Sequence, residues 1–178
     1  MKRAHQHSLL FLPLFIFFSF TSALAAGSFR VATFNVNNYL DAATEGRTGK
    51  SPEAKAKVRE GLLAVKAAVL ALQEMGTTNE LAELQTALRQ DGLDYPEWEW
   101  VAGYDPLLLL AILSRFPSVA RRPYTNESFL LNGRRFRVSQ SFADVDLQIN
   151  DHEQITLLAA HLKSRLPWPE ADQAEWRL

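Results

Sequence analysis

The chain has 178 residues, of which 47% are hydrophobic and 22% charged, and its formal net charge is −1 at pH 7. This is the composition of a soluble globular protein with one domain, and it provides no strongly basic field to attract nucleic acid or anionic membranes. A phosphodiester substrate is still compatible with it, because a bound divalent cation can supply positive charge. The chain has no cysteine, which excludes disulfides, thiolate metal sites and thiol catalysis.

The first 26 residues have the pattern of a secretory signal peptide. Two basic residues at positions 2 and 3 precede a dense apolar run from Leu9 to Phe20, and Ala23-Leu24-Ala25 supplies the small residues of a cleavage site. The alternative is an uncleaved membrane anchor, but the run is shorter than the roughly 20 residues that span a bilayer. We therefore expect a secreted or periplasmic protein with no stable membrane association after cleavage, and a mature domain over residues 27–178.

The chain after this leader begins with a predicted strand and a predicted helix. The strand covers residues 29–35, and a polar linker with two glycines follows over residues 41–50. Ser51 and Pro52 are a capping hydroxyl and a proline suited to the first helical position. The apolar stripe that follows predicts a helix that ends near residue 66.

The remainder of the chain predicts a second strand–helix unit and then mainly strands. Residues 68–73 are apolar without alternation, as in a strand covered on both faces. Thr77 and Glu80 predict a capping box at the start of a helix that Gly92 ends. Four further strands are predicted between turn signals, at residues 98–102, 107–113, 135–147 and 155–160. A last helix is predicted from Trp168-Pro169. This order predicts an α/β fold with a mixed sheet and helices on its outer faces.

Three predicted strands end on polar residues that suit metal or phosphate chemistry. Asn35 ends the first strand, Glu74 follows the second, and His161 follows the last. Sheet enzymes place their chemistry at the carboxyl ends of strands, so we expect these side chains to meet at one rim of the sheet. Each also has a structural interpretation: a turn-forming asparagine, a solvated loop glutamate and a histidine at a sheet edge.

The chemistry of these side chains suggests a role for each. A carboxylate such as Glu74 binds hard cations, and Asn37 can reach the same metal more weakly. The imidazole of His161 can donate a proton to a departing alkoxide or a hydrogen bond to charge building on phosphorus. Lys163 and Arg165 follow at once and can hold the non-bridging oxygens of a phosphate.

Four segments resemble, in order, motifs of the endonuclease/exonuclease/phosphatase family, which includes pancreatic-type deoxyribonucleases, abasic-site endonucleases, sphingomyelinases and inositol phosphatases. They are FNVNNYL, LALQEM, AILSRFP and AHLKSR. In this resemblance Asn35 matches the family's asparagine, which orients the site, and Glu74 matches its magnesium-binding glutamate. His161 matches the histidine close to the scissile phosphate.

The resemblance implies a four-layered α/β sandwich and a metal-dependent hydrolase. Its cofactor would be Mg²⁺, or another divalent cation such as Mn²⁺ or Ca²⁺, and water would attack a phosphoester in line. The expected function is that of a secreted nuclease acting on DNA or RNA, although a lipid headgroup or a sugar phosphate also fits the matching residues.

The sequence also departs from the family pattern. It lacks the Gly-Asp-x-Asn turn that supplies the water-activating aspartate and the Ser-Asp-His that completes the site, so the resemblance covers an N-terminal portion of the domain. The segment DPLLLL from Asp105 is apolar where related proteins often carry Arg and Gly. We therefore expect this chain alone to be inactive and poorly soluble. The alternative to an enzyme is a non-catalytic remnant, or a half domain that needs a complementing C-terminal segment.

Overall fold

The computed structural model describes residues 27–44, 46–103, 109–138 and 141–162. The predicted signal peptide and the helix predicted from Trp168 lie outside these residues. Neither of the helices in the described ranges is long and apolar enough to cross a membrane.

Nine strands and two helices form the described part of the chain. In order they are β1 (Val31–Tyr39), α1 (Pro52–Val65), β2 (Val69–Met75), α2 (Thr78–Gln90), β3 (Glu97–Val101), β4 (Leu109–Ser114), β5 (Ser118–Arg121), β6 (Ser128–Leu131), β7 (Arg134–Arg137), β8 (Phe142–Asn150) and β9 (Glu153–Ala160).

Both early helices start and stop at the signals that predict them. The hydroxyl oxygen of Ser51 accepts a hydrogen bond of 3.2 Å from the backbone N–H of Ala54 at the start of α1. This helix is closed by Lys66, whose φ of 50° is left-handed. Thr77 and Glu80 form the predicted reciprocal capping box of α2. The caps at Ser51 and Thr77 fix the residue at which each helix begins.

The strands form a mixed sheet, an antiparallel sheet and a hairpin. The mixed sheet has the order β1-β2-β4-β3, in which β1 and β2 are parallel and the other pairs antiparallel. The second sheet has the order β5-β8-β9, and β6 pairs only with β7. Because α1 connects the parallel strands β1 and β2, their carboxyl ends lie at the same edge of the sheet. The mixed α/β architecture predicted from the sequence is confirmed.

Two hydrophobic cores divide these elements into layers. On one face of the mixed sheet, Leu70 and Leu72 of β2 pack with the buried side of α1 and α2. On the other face, Val69 and Ala71 pack against the second sheet, where Val145 is buried. The described residues thus form a helical layer and two sheets of the sandwich. Burial on both faces explains why β2 lacks apolar alternation.

The strand predicted over residues 135–147 is wrong, because the chain divides there into β7 and β8 in different sheets. Between them, the hydroxyl of Ser141 donates a hydrogen bond of 2.7 Å to the carbonyl of Ala102, next to β3. The turn signal at Asn132-Gly133 is confirmed, with φ values of 50° and 74°. Positive φ at both residues is the two-residue turn that suits a hairpin's twist. The short strands β5 and β6 were not predicted.

Candidate functional site

Glu74 lies in an irregular stretch near the end of β2. Asn35 pairs with Gln73, and Tyr39 pairs with Met75. The three residues of β1 between Asn35 and Tyr39 therefore lie opposite a single residue of β2, Glu74. The φ of Glu74 is 59°, a left-handed conformation that costs an L-residue about 1–3 kcal/mol. Bulges of this kind re-aim a side chain. Here the carboxylate is directed towards the end of β1.

The end of β1 is shaped to receive this carboxylate. Asn37 and Asn38 also have positive φ, 53° and 54°, which short polar side chains tolerate best after glycine. As a result the backbone N–H of Asn38 donates to Oε2 of Glu74 at 3.2 Å. The backbone N–H of Asn37 donates to Oδ1 of Asn35 at 2.8 Å.

Asn35 connects the two strands through its side chain. Its Nδ2 donates a hydrogen bond of 2.7 Å to Oε1 of Glu74, while its Oδ1 accepts from the backbone two residues on. The second contact fixes which way the amide points. Asn35 therefore caps a turn and holds Glu74 at the same time, so its structural interpretation and its predicted orienting role are compatible.

His161 completes the rim from the second sheet. Its Nε2 lies 3.6 Å from Oε1 of Glu74, and the two side chains are 15% and 19% exposed. This separation is too long for a hydrogen bond. Nδ1 of His161 is buried and has no hydrogen-bond partner within the described residues. The expected convergence of Asn35, Glu74 and His161 is confirmed, while their chemical roles stay predictions.

The charge state of His161 follows from burial more than from its acidic neighbour. Burial of the ring lowers its pKa below 6.5, the nearby Glu74 carboxylate raises it, and the Arg47 guanidinium lowers it. Burial and Arg47 together outweigh Glu74, so the imidazole is neutral near pH 7. The short approach to Glu74 is therefore not an ion pair at that pH.

Arg47 and Lys50 are residues near the rim that sequence analysis did not single out. Both lie in the linker between β1 and α1, which carries no periodic pattern. The only signal there is the pair Gly46 and Gly49 among polar residues. Of the other predicted site residues, Asn37 is exposed at the rim, and its metal role stays a prediction. Lys163 and Arg165 lie outside the described residues.

This linker folds back on itself beside the rim. Thr44 and Arg47 exchange two backbone hydrogen bonds of 3.0 and 2.8 Å, and the N–H of Lys50 donates to the carbonyl of Leu40 at 2.8 Å. A Cβ on Gly49 would lie 2.9 Å from the backbone of Ala42. Such a close approach is open to glycine alone.

A buried lysine attaches the start of the linker to both helices. Nζ of Lys55 on α1 donates to Asp41 and, at 2.7 Å, to Oε2 of Glu83 on α2. The ammonium also lies 4.7 Å from the centre of the Tyr39 ring. The linker is thereby held in place by charge-assisted contacts as well as by its backbone.

The folded linker bounds a polar cleft of about 440 Å³ next to the rim. The residues that line it are Asn37, Asn38, Gly46, Arg47, Thr48, Gly49, Lys50, Ser51 and Ala54. Asn37 and Asn38 form the wall that the cleft shares with the Glu74 site.

The donors at the rim fit a hard cation that keeps much of its water. Within the described residues, no group of three or more His, Cys, Asp or Glu side chains is placed to hold a metal ion. Mg²⁺ is usually held by one or two carboxylates, waters and substrate phosphate. The two oxygens of Glu74 each accept one hydrogen bond from Asn35 or Asn38, which leaves lone pairs for such an ion.

The chain has the fold of endonuclease/exonuclease/phosphatase proteins. A family member from Leptotrichia buccalis superposes with a TM-score of 0.53 at 15% sequence identity, and the match covers 76% of this chain and 54% of that one. An endonuclease/exonuclease/phosphatase from Beutenbergia cavernae gives a TM-score of 0.53 at 16% identity, covering 78% and 39%. This chain thus spans about half or less of these two structures. No protein-family model and no curated protein matches the sequence.

Proposed function

We propose that the chain is part of a metal-dependent phosphoesterase, a secreted nuclease that hydrolyses phosphodiester bonds. One observation carries this proposal: Asn35 of β1, Glu74 of β2 and His161, the residue after β9, converge at one rim. Metal-assisted phosphoester hydrolysis uses a carboxylate that binds the cation and a group that stabilises charge on the departing oxygen. The fold shared with endonuclease/exonuclease/phosphatase proteins supports the same reaction class.

Each residue has a defined part in this proposal. Glu74 would hold Mg²⁺, with Asn37 as a weaker ligand, and Asn35 keeps the carboxylate oriented. When bound, the cation stabilises negative charge on the phosphoryl oxygens and helps the alkoxide to leave. His161, neutral near pH 7, donates a hydrogen bond to the phosphoryl group. Hydrogen-bond donors held in place before the reaction lower the barrier without reorganisation.

Metal binding gives a test that does not depend on turnover. We expect the wild-type chain to bind Mn²⁺, measured by electron paramagnetic resonance, and Glu74→Gln to bind it at least about 10-fold more weakly, because loss of a direct ligand should cost no less than loss of a residue that orients one. Glu127→Gln, an exposed acid outside the rim, is the matched control and should bind Mn²⁺ as the wild type does. Equal Mn²⁺ affinity in both variants would refute the assignment of Glu74.

A half domain that needs a partner chain is the second candidate, and the open edges of the two sheets favour it. In the described residues β1 and β9 each pair on one side only. Val31 and Phe34 on β1 and Leu158 on β9 are 46%, 41% and 63% exposed. A groove of about 310 Å³ runs between β1, β2 and β9. A polypeptide that adds strands here would cover the apolar surface and supply further catalytic groups.

Nicking of supercoiled plasmid DNA in Mg²⁺ separates the two candidates. An enzyme that is sufficient by itself nicks the plasmid, and Glu74→Gln abolishes the reaction. With a half domain, the rate of nicking stays at the level seen in buffer until the partner polypeptide is added. The half domain should nevertheless bind Mn²⁺ in a Glu74-dependent way. Background nicking by the chain alone is the result that the sequence analysis predicts.

A further inference from the structure

The carboxylate of Glu80, in the first turn of α2, makes a contact that its capping box does not explain. Its Oε2 accepts hydrogen bonds from the hydroxyl of Thr77 and, at 2.8 Å, from the backbone N–H of Thr77. Its Oε1 accepts a long hydrogen bond of 3.3 Å from the backbone N–H of Asp41, two residues after β1. The contacts with Thr77 belong to the capping box. The contact with Asp41 joins α2 to a segment 39 residues away.

The two backbone groups that Glu80 holds have equivalent positions relative to the rim. The N–H of Asn38 donates to Oε2 of Glu74 at 3.2 Å. Asp41 is the third residue after Asn38, and Thr77 is the third residue after Glu74. The chain that leaves β1 and the chain that leaves β2 are therefore joined twice, once at the rim and once through the Glu80 carboxylate.

The charge of Glu80 suits this double contact. The residue is buried, with 7% of its surface exposed. Burial raises its pKa, but hydrogen bonds from the Thr77 side chain and from backbone N–H groups lower the pKa by more, so that it lies below its usual value. The side chain is therefore ionised at pH 7. An ionised carboxylate accepts on both oxygens, which lets it hold two backbone segments at once.

The residues between these two connections have backbone conformations that need support. Asn37, Asn38 and Glu74 have left-handed φ values of 53°, 54° and 59°. Such conformations persist only where the surrounding structure holds them. Glu80 packs directly against the segment after Glu74, because a Cβ on Gly76 would lie 3.0 Å from its Cδ.

We propose that Glu80 is a positioning residue for the candidate metal site, which keeps the ends of β1 and β2 in the arrangement that presents the Glu74 carboxylate to a cation. It acts through the backbone of Asp41 and Thr77 and is not itself a metal ligand. This inference rests on the proposed function for the role of Glu74.

Glu80→Gln tests the proposal because it removes one of the two contacts. Glutamine suits the same position of a capping box, since its amide oxygen can still accept from the N–H of Thr77. Its NH₂ group then replaces the oxygen that faces the N–H of Asp41, which places two donors against each other. We expect Mn²⁺ affinity, measured by electron paramagnetic resonance, to fall by about tenfold, the lower end of the range for residues that orient a metal ligand.

Thr77→Ala is the matched control, because it weakens the helix cap and leaves the contact between Asp41 and Glu80 in place. We expect a lower midpoint of thermal unfolding with the Mn²⁺ affinity of the wild type. This pair of variants separates positioning of the site from stability of α2.

Hydrogen exchange of the Asn38 N–H, measured by nuclear magnetic resonance in EDTA, gives a readout without metal. This N–H is bonded to Glu74, so we expect exchange to be faster than in the wild type in Glu80→Gln and unchanged in Thr77→Ala. Far-ultraviolet circular dichroism identifies a variant that has not folded. If Glu80→Gln does not fold, Glu80→Asp takes its place and should give the same losses, because its shorter side chain cannot reach both donors.

Two outcomes would overturn the proposal. One is wild-type Mn²⁺ affinity and wild-type exchange at Asn38 in folded Glu80→Gln, and the other is an equal loss of affinity in Glu80→Gln and Thr77→Ala. Failure of the proposed function looks different. In that case Glu74→Gln leaves Mn²⁺ binding unchanged, while Glu80→Gln still accelerates exchange at Asn38.

Discussion

A Cβ atom on Gly76 would lie only 2.4 Å from the carbonyl oxygen of Tyr39. This close approach joins the loop after β2 to the end of β1, two residues beyond Glu74. Because the obstructing atom belongs to the backbone, it cannot move aside as a side chain would.

We expect Gly76→Ala to separate these two segments and to lower the free energy of unfolding by about 1–3 kcal/mol. Urea denaturation measures the change. Gly61→Ala is the matched control, because a Cβ on Gly61, inside α1, meets nothing within 4 Å. That substitution should raise stability by about 1 kcal/mol. Equal effects at the two glycines would contradict this account of the close approach.

Asn35→Asp should make stability depend on divalent metal. The substitution replaces a donor 2.7 Å from Glu74 with a second carboxylate, so a hydrogen bond becomes a repulsion. We expect stability to fall by about 1–3 kcal/mol in EDTA, most of which added Mn²⁺ restores, because a cation between two carboxylates removes the repulsion. Thermal unfolding with and without Mn²⁺ tests this. The same change at exposed Asn126 should show no metal-dependent difference from the wild type.

His161 should make the protein less stable in mild acid. Its pKa is lower in the folded protein than its ordinary value of 6.5, chiefly because of burial. The unfolded chain therefore binds the proton more tightly. The stabilisation is complete above about pH 6.5 and decreases as the pH falls from there towards the folded pKa.

Urea unfolding in EDTA between about pH 7.5 and about pH 5.5 measures this effect, since histidine titrates in that range. The wild type should lose more stability than His161→Gln over the interval. His152→Gln, in the exposed turn between β8 and β9, should follow the wild type. If the free energy of unfolding changes with pH in the same way for the wild type and His161→Gln, the ring is not desolvated in the folded protein.

Leu158→Lys should increase the soluble fraction of the protein. Leu158 is 63% exposed on the edge strand β9, where a charge opposes pairing between copies of the chain. We expect its free energy of unfolding to change by no more than about 0.5 kcal/mol. Val65→Lys replaces an exposed apolar residue on a helix and should change solubility less. Sedimentation of expressed protein compares the two, and a larger gain at Val65 would argue against edge pairing.

The sequence predicted the features that depend on local signals. Caps at Ser51 and Thr77 fixed the starts of both helices because hydroxyl side chains satisfy free N–H groups there. The convergence of Asn35, Glu74 and His161 was predictable because each follows an apolar run that predicts a strand, and sheet enzymes place their chemistry at the carboxyl ends of strands.

Features that depend on distant partners were not predictable in the same way. The bulge at Glu74 arises from pairing with both β1 and β4, and no residue pattern in β2 indicates it. No glycine or proline lies between β7 and β8 to mark a turn, so the sequence did not show that the two strands join different sheets. Arg47 and Lys50 lie in a linker whose position depends on contacts with Leu40, Ala42 and Asp41.

The hydrogen bond from Asn35 to Glu74 joins positions 39 residues apart through a parallel crossover. Closing so long a connection reduces chain entropy before the hydrogen bond can form, so the rim should form late in folding. Substitutions there should then accelerate unfolding more than they slow refolding.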